Sequence, residues 1–233
     1  MADVDPGKNR EGPAIEQQEP VRRTKQVGKK ALSVTDLLNK KYKLFEFSGE
    51  WYDAFGCPEM KGIWFVWGNS GNGKTTFVLK FIKYLAGFAT VAYNSLEEGG
   101  THTMQEAFRR TGMQEVSKRV ILIEGESMPE LEQRMNKHKS PRVYVIDSLQ
   151  YMGISYNEYK AFKERHRDKL VIFISHADGK LPEGRSAKKI MYDAGLKIWV
   201  EGYRAISKGR YIGPNGGTFT IWEAGADKYW NKS

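Results

Sequence analysis

Short apolar runs alternate along the chain with segments in which apolar residues recur at helical spacing. The runs are rich in β-branched and aromatic residues and predict six strands: Gly62–Trp67, Thr90–Ser95, Arg119–Glu124, Val143–Asp147, Leu170–Ser175 and Gly195–Val200. The segments between them predict helices near residues 75–86, 101–112, 128–138 and 156–167. Because near-continuous apolar strands separated by helices are typical of a parallel sheet covered on both faces, the pattern predicts a three-layer α/β/α fold with a mostly parallel central sheet.

The pattern changes at both ends of the chain. Residues 1 to about 30 hold almost no large apolar side chains. This composition predicts a disordered basic tail over residues 1–32, followed by one folded domain over residues 33–233. The run Ser33–Leu38 predicts a short capped helix at the entrance of that domain. Near the other end, Arg204–Trp222 predicts a β-hairpin with the glycine-rich stretch Gly213–Gly217 at its turn.

Composition limits the class of protein. At 233 residues the chain suits one α/β domain, and its single cysteine, Cys57, excludes a disulfide framework and a cysteine-rich zinc site. No apolar run reaches the roughly 18 residues that a membrane span needs, and Met1–Asp5 is too polar for a signal peptide. These features predict a cytoplasmic protein without a membrane partner.

The charge balance points to anionic partners. The formal net charge is +9, which favours polyanions such as nucleic acids. Within the predicted tail, Arg22–Lys30 carries five positive charges and no acid. Two interpretations of that segment are open, an arm that binds nucleic acid and a solvated tail that only aids solubility.

A phosphate-binding loop follows the first predicted strand. Its sequence matches G-x-x-x-x-G-K-T and comprises Gly68, Asn69, Ser70, Gly71, Asn72, Gly73, Lys74, Thr75 and Thr76. The glycines let backbone N–H groups curl around the phosphates, and the following helix directs the positive end of its dipole at them. Lys74 would neutralise phosphate charge and the Thr75 hydroxyl would ligate Mg²⁺. The strand before and the helix after this loop make a fortuitous glycine-rich turn a poor alternative, so the motif predicts binding of Mg²⁺ and a nucleoside triphosphate, ATP.

Acidic residues at two strand ends predict the rest of a hydrolytic site. Asp147 ends the apolar run Val143–Asp147 and would hold the Mg²⁺ through its water shell. Glu97 follows the strand after the P-loop helix, where a carboxylate can orient and deprotonate an attacking water. The alternative for Glu97 and its neighbour Glu98 is a pair of acids in a surface loop.

Three further residues are candidates because of their positions. His176 follows the apolar run that ends at Ser175, where it could contact the γ-phosphate and report its loss, although a lone histidine is more often structural. Lys208 and Arg210 lie two residues apart on a predicted strand and would therefore point to one side. They could form a basic stripe on a hairpin, or a finger that reaches the nucleotide of a neighbouring subunit.

These motifs, in this order, resemble the RecA-like ATPase core over about residues 45–225. The resemblance is closest to bacterial RadA, with DnaB-type helicase cores next. It is carried by Ser95–Glu98, Val145–Gln150, Ser175–His176, Arg204–Tyr211 and Gly213–Gly216. The likeness concerns the core alone, because the sequence contains neither the four-cysteine zinc module nor the protease-like domain of RadA, nor the amino-terminal domain of the helicases. Gly209 also replaces the asparagine of the family's Lys-Asn-Arg element.

The resemblance implies an ATPase that acts on single-stranded DNA in recombination, annealing or repair. It implies a homo-oligomer, ring or filament, in which Lys208 or Arg210 completes a neighbour's site. It also implies DNA contact by two loops, Tyr151–Tyr156 and Ala177–Ala187, the second of which looks mobile. The candidate nucleic-acid contacts are Lys180, Arg185, Lys188 and Lys189. The open alternatives are ordinary solvated lysines, a helicase-type or helicase-accessory motor, and a KaiC-like regulatory ATPase with a protein partner.

Overall fold

The computed structural model describes Met1 and residues 31–231, which fall into two compact units on either side of the Lys41–Tyr42 bond. Most of the predicted tail, including its basic segment, lies outside the described residues. The first unit contains helix α1 (Val34–Leu38), whose start is closed by a capping box: the Ser33 side chain accepts a hydrogen bond from the Asp36 N–H at 3.0 Å, and the Asp36 carboxylate accepts one from the Ser33 N–H at 3.2 Å. The predicted entrance helix is confirmed.

The second unit is built on one nine-stranded sheet. Its strands are β1 (Gly62–Gly68), β2 (Val91–Ser95), β3 (Val120–Glu124), β4 (Val143–Asp147), β5 (Leu170–Asp178), β6 (Leu181–Pro182), β7 (Leu196–Glu201), β8 (Arg204–Ser207) and β9 (Thr218–Thr220). The order across the sheet is β3-β2-β4-β5-β1-β7-β8-β9, with β6 paired to β5. The six strands from β3 to β7 are parallel, whereas β8 and β9 are antiparallel to their neighbours.

Helices cover both faces of this sheet. They are α2 (Gly49–Phe55), α3 (Lys74–Leu85), α4 (His102–Thr111), α5 (Met128–Met135), α6 (Leu149–Met152), α7 (Tyr156–Arg165), α8 (Arg185–Asp193) and α9 (Glu223–Trp230), with a 3₁₀ turn at Met113–Val116. Alternate residues of β1 face opposite cores: Trp64 belongs to the core that includes residues of α2, α3 and α4, and Phe65 to the core that includes residues of α5, α7 and α8. The predicted three-layer α/β/α fold with a mostly parallel sheet and a carboxy-terminal β-hairpin is confirmed.

Four helices were not predicted from the sequence. The helix α8 carries its buried residues Ala187, Ile190 and Met191 at helical spacing, but it follows a Gly/Pro-rich stretch that favours a loop. The helices α2 and α9 are short and are held by tertiary packing, and α6 is a single turn. The predicted hairpin between β8 and β9 forms, but the connection over residues 208–217 is longer than the predicted turn.

The parallel register brings distant sequence positions to one edge of the sheet. Ser95 at the end of β2 pairs with Asp147 at the end of β4, and Gly68 at the end of β1 pairs with His176 on β5. These positions form the carboxyl edge, where ligands of open α/β sheets bind. Within the described part of the chain, none of the helices has the length and apolar character required to cross a membrane.

Candidate nucleotide-binding site

The P-loop joins β1 to α3 in a conformation that its glycines allow. Gly73 caps α3 with a φ of 89°, a left-handed conformation that side chains disfavour. A Cβ atom at Gly73 would lie 3.0 Å from the ring of Tyr203, and one at Gly68 would collide with the carbonyl oxygen of Val200 on β7. Glycine is therefore needed at both positions for close packing of the loop against β7 and its turn.

Two asparagines fasten the P-loop to neighbouring elements. The Asn72 side chain donates to the Ser70 carbonyl oxygen at 3.1 Å and accepts from the Gly202 N–H at 2.8 Å. The Asn69 side chain donates to the Gly179 carbonyl oxygen at 3.2 Å. One asparagine thus holds the loop against the β7–β8 turn, and the other holds it against the turn between β5 and β6.

A cleft of about 370 Å³ opens beside this loop at the carboxyl edge. It is lined by Ser70, Gly71, Gly73, Lys74, Thr75, Thr76, Ser95, Glu97, Glu98, Asp147, His176 and Tyr203. The side chains predicted to act on the phosphates or the metal within one subunit, Lys74, Thr75, Glu97, Asp147 and His176, therefore line a single cleft. Of the predicted P-loop residues, Gly68, Asn69 and Asn72 are not part of its lining. Lys74 Nζ donates to the Gly68 carbonyl oxygen at 3.1 Å, and partial burial lowers the pKa of Lys74. Its ammonium group is thereby held within the loop that it would help to close around phosphate.

Asp147 is fixed by a buried tyrosine. The Tyr93 hydroxyl donates to Asp147 Oδ2 at 2.7 Å. Burial raises the pKa of Asp147, while the Tyr93 hydrogen bond and the positive charge of Lys74 act in the opposite direction. Burial, with the Asp147 charge beside it, also raises the pKa of Tyr93 well above its ordinary value, so the tyrosine remains a donor. The Tyr93 hydroxyl thus orients Oδ2 of the Asp147 carboxylate, and Oδ1 is left for a ligand.

Glu97 and His176 contact each other across the cleft. His176 Nε2 lies 3.1 Å from Glu97 Oε2, and both side chains are partly exposed to the cleft. The loop that carries Glu97 is tied to β2, because the Ser95 hydroxyl accepts the Gly99 N–H at 3.0 Å. The predicted base and the predicted γ-phosphate sensor therefore form one hydrogen-bonded pair.

The donor set fits Mg²⁺ bound together with phosphates. Thr75 and Asp147 offer the hard oxygen ligands that Mg²⁺ prefers. The next hydroxyl, Ser148 Oγ, is buried and has no hydrogen-bond partner in the described structure. The described residues contain no group of three or more histidine, cysteine or acidic side chains that could cage a metal alone. That composition is what is expected where phosphate and water supply most ligands.

Gln150 links the cleft to the elements that follow it. Its side-chain amide donates to Ser175 Oγ at 2.8 Å and to the Glu183 carbonyl oxygen at 3.1 Å, and its carbonyl oxygen accepts the His176 N–H at 3.3 Å. The side chain therefore bridges α6, the His176 segment of β5 and the chain that leads into α8.

A second cavity of about 370 Å³ adjoins the phosphate cleft and shares Gly73, Thr76 and Tyr203 with it. Its remaining lining consists of Lys80, Arg110, Thr111, Ile221 and Trp222. The rings of Tyr203 and Trp222 are 5.0 Å apart and nearly perpendicular. An apolar, aromatic cavity directly beside a phosphate cleft has the character of a nucleobase site.

Lys208 and Arg210 lie away from the phosphate cleft of their own chain, and they do not lie on a strand as predicted. The strand β8 ends at Ser207, because the chain turns into the long loop to β9. The Lys208 N–H donates to the Lys197 carbonyl oxygen at 2.8 Å. Since β7 starts at Leu196 and reaches the P-loop only at Val200, both cations lie at the amino edge of the sheet. They cannot contact phosphates held by their own P-loop.

The candidate nucleic-acid contacts lie on structured elements. The segment Ala177–Ala187, predicted as a mobile loop, forms the turn between β5 and β6 and the start of α8, because Ala177 pairs with Pro182 and Asp178 with Leu181. Lys180 is at the tip of that turn. The other three cations, Arg185, Lys188 and Lys189, are on α8. A groove of about 310 Å³ separates α6 and the residues after it from the start of α8.

Sequence reasoning missed three residues of the site: Tyr93, Tyr203 and Trp222. Tyr93 is an inward residue of a strand, which is indistinguishable from core in a sequence. Tyr203 is in the two-residue β7–β8 turn with a φ of 59°, although such positive-φ turn positions favour glycine, asparagine or aspartate. Only Gly202 before it signals that turn. Nothing in the sequence places Trp222 beside the P-loop.

Comparison with known proteins identifies the fold. No protein-family model matches the chain, and no curated protein matches it. Among solved structures, a KaiC-like protein from Pyrococcus horikoshii is 17% identical with a TM-score of 0.53, over 77% of this chain and 98% of that one. The flagellar accessory protein FlaH from Methanocaldococcus jannaschii is 14% identical with a TM-score of 0.51, over 78% and 92%. These likenesses show that the three-layer α/β/α fold matches RecA-like folds, and the closer resemblance to RadA stays a prediction.

Proposed function

We propose that this protein binds and hydrolyses Mg-ATP and couples that turnover to single-stranded DNA. The observation that carries the ATPase proposal is the convergence of Lys74, Thr75, Glu97, Asp147 and His176 on one cleft, although their motifs span about a hundred residues of sequence. A glycine-rich turn that matched the motif by accident would have no reason to meet a strand-end acid and a candidate base.

The triphosphate lies along the P-loop in this proposal, with its base in the adjoining aromatic cavity. The Lys74 ammonium and the backbone N–H groups at the start of α3 bind the β- and γ-phosphates. Tyr203 and Trp222 offer aromatic surface to the base, while Gly73 and Thr76 line the passage between the two cavities.

Hydrolysis requires a positioned water. Glu97 accepts the proton of that water as it attacks the γ-phosphate, and His176 Nε2 lies 3.1 Å from the Glu97 carboxylate. When Mg²⁺ is bound it would neutralise the charge that develops on the phosphates. Thr75 and Asp147 would hold it, with Asp147 oriented by Tyr93. A bound γ-phosphate competes for His176, which gives Gln150 and α6 a signal of nucleotide state.

The site is completed by a second copy of the chain. Lys208 and Arg210 lie at the amino edge, away from their own cleft, so a catalytic role for either cation requires the nucleotide of a neighbouring subunit. A cation that stabilises transition-state charge from a neighbouring subunit makes turnover depend on assembly. The isolated protomer is therefore expected to hydrolyse ATP poorly.

The strand-binding half of the proposal rests on the groove between α6 and α8. Arg185 lines its α8 side, Lys188 and Lys189 lie farther along the same helix, and Lys180 is in the β5–β6 turn. None of these four cations forms an ion pair within the described residues. Tyr151 on the opposite side is 59% exposed, and its ring is 6.5 Å from that of His176. Unpaired cations with an exposed aromatic ring suit the backbone and bases of a single strand.

The test is the ATPase rate as a function of protein concentration, with and without single-stranded DNA, at low and moderate salt. A rate per protomer that rises with concentration, increases further with DNA and loses that increase at higher salt is the expected result. A rate indifferent to DNA at all concentrations would leave the ATPase standing and reject the strand. In that case a protein partner, as in the KaiC-like alternative, becomes the better hypothesis, whereas unwinding of a forked duplex would favour the helicase-type motor.

A further inference from the structure

Two lysines of the α7–α8 surface stand out because they share an aromatic ring instead of a carboxylate. The Nζ atoms of Lys160 on α7 and Lys189 on α8 each lie 5.4 Å from the ring centroid of Tyr156, the first residue of α7. The Tyr156 ring is also stacked with the ring of Tyr159, with the two centroids 5.7 Å apart. Two ammonium groups from different helices are therefore gathered at one ring.

The other cations of the same helix are neutralised. Lys163 Nζ lies 2.6 Å from Asp193, Arg165 lies 2.8 Å from Glu132, and Arg167 just past the helix end lies 2.7 Å from Glu164. In the described part of the chain, neither Lys160 nor Lys189 forms an ion pair. The acid closest to them along α7, Glu158, accepts the Ser155 N–H at 2.8 Å as part of the capping box.

The position of this pair continues the proposed strand-binding groove. Ile154 lines the groove and is separated from Tyr156 by Ser155 alone. Lys189 is on the same helix as Arg185, which lines the groove on the other side. Farther along α8, Tyr192 is 67% exposed and stands three residues from Lys189, hence on the same helical face. The unpaired charge and exposed rings therefore extend from the groove onto two helices.

We propose that Lys160 and Lys189, gathered at the Tyr156 ring, bind the phosphates of a single strand as it leaves the groove. This surface rests on the proposed strand-binding function and adds Lys160 of α7 to it, a residue outside both candidate loops. A single strand suits this surface because its phosphates can neutralise the two unpaired ammonium groups. Its bases can stack on the aromatic rings beside them. The Tyr156 ring acts as a positioning group that keeps both lysines at the groove.

The test measures binding of an oligothymidylate by fluorescence anisotropy over a series of salt concentrations, in the presence of a non-hydrolysable ATP analogue. The slope of log K against log salt is negative, and each phosphate contact to a single strand makes it steeper by about 0.7. The double variant Lys160→Gln/Lys189→Gln is expected to make that slope less steep by about 1.4 and to weaken binding roughly fivefold per lysine at 0.1 M salt. Arg167→Gln, which removes a paired charge near the same helix, is the matched control and should keep the wild-type slope.

The role of the ring is tested separately. Tyr156→Phe keeps the ring and should bind as the wild type does, whereas Tyr156→Leu should weaken binding by less than the double lysine variant. Thermal unfolding of each variant excludes a folding defect as the cause. Equal binding by the Phe and Leu variants would overturn the positioning role of Tyr156.

Two results would overturn the proposal itself. A double variant with the wild-type slope would show that no phosphate is bound at these lysines. Polyglutamate that displaces the oligonucleotide at matched charge would show a surface for polyanions in general. A wild-type protein that hydrolyses ATP but binds no oligonucleotide gives a different failure, because it rejects strand binding as a whole.

Discussion

The nucleotide cleft and the groove between α6 and α8 lie at the same edge of one sheet, but they differ in how their charged side chains are partnered. In the cleft, Lys74 is hydrogen-bonded to the P-loop, Asp147 to Tyr93 and Glu97 to His176. Around the groove, cations such as Arg185 and Lys188 form no ion pair within the described residues. A site for chemistry holds its groups in place before the ligand arrives, whereas a surface for a polymer leaves charge free to be neutralised by it.

This contrast predicts abrupt losses in the cleft and graded ones at the groove. Lys74→Ala should have the largest effect, with nucleotide binding or turnover lost to the limit of detection, because no other cation lies within the P-loop. Nucleotide affinity measured by titration calorimetry, together with the ATPase rate, checks it. Lys83→Ala on the same helix, where Lys83 pairs with Glu115 at 2.8 Å, is the control and should be active. Normal ATPase activity in Lys74→Ala would reject the site.

Arg210→Ala should leave nucleotide binding largely intact and lower turnover by on the order of 10³, the range for a finger supplied by a neighbour. The sharper measurement mixes protomers. Lys74→Ala subunits still carry Arg210, so mixing them with Arg210→Ala subunits should restore part of the activity that each lacks alone. Mixtures as inactive as their components, or an Arg210→Ala protein with wild-type turnover, would reject the finger.

Glu97→Gln should lower turnover by about 10²–10⁴ and keep nucleotide affinity, because the amide can still orient a water but cannot take its proton. Its natural control is the adjacent substitution Glu98→Gln, which should change turnover far less. Single-turnover hydrolysis separates the chemical step from product release. Equal losses in the two variants would show that neither carboxylate is the base.

The smallest predicted effect concerns stability. Burial raises the pKa of Asp147 in the folded protein, so the ionised carboxylate costs stability above its folded-state pKa. Asp147→Asn removes that cost and should raise the unfolding temperature of the nucleotide-free protein at pH 7, by about 2–4 °C for each kcal/mol. The gain should shrink as the pH falls and vanish below the ordinary carboxyl pKa, where both proteins are neutral at this position. A lower Asp147→Asn midpoint at pH 7 would contradict the prediction.

The sequence was most informative where spacing and chemistry reinforce each other. The six parallel strands and the hairpin were predicted because apolar runs are long relative to their surroundings. Lys74, Glu97, Asp147 and His176 were chosen as candidates because each lies at or just after the end of such a run, and all four line one cleft. Parallel register then places strand ends together without further information.

The sequence was least informative where function depends on packing between elements. Tyr93 acts through a hydrogen bond to another strand, and Tyr203 through a turn that happens to meet the P-loop. Helix α8 was missed because a Gly/Pro-rich stretch before it outweighed its own periodicity. The strand assigned to Lys208 ended earlier because β9 pairs with β8 only at Arg204, Ala205 and Ile206. Such pairings are properties of the assembled fold and leave no local signal.

The β5–β6 turn is fastened to the phosphate-binding segment by two side chains. The Trp67 indole N–H donates to the Lys180 carbonyl oxygen at 3.1 Å, and Asn69 donates to the neighbouring Gly179 carbonyl oxygen. Trp67 is the second-last residue of β1 and is only 4% exposed, so this end of the linkage is held in the core. If a ligand displaces the P-loop, the tip of the β5–β6 turn that carries Lys180 must therefore move with it, or these two hydrogen bonds must break. The two hydrogen bonds therefore couple movement of the P-loop directly to the β5–β6 turn, and their loss would uncouple the two segments.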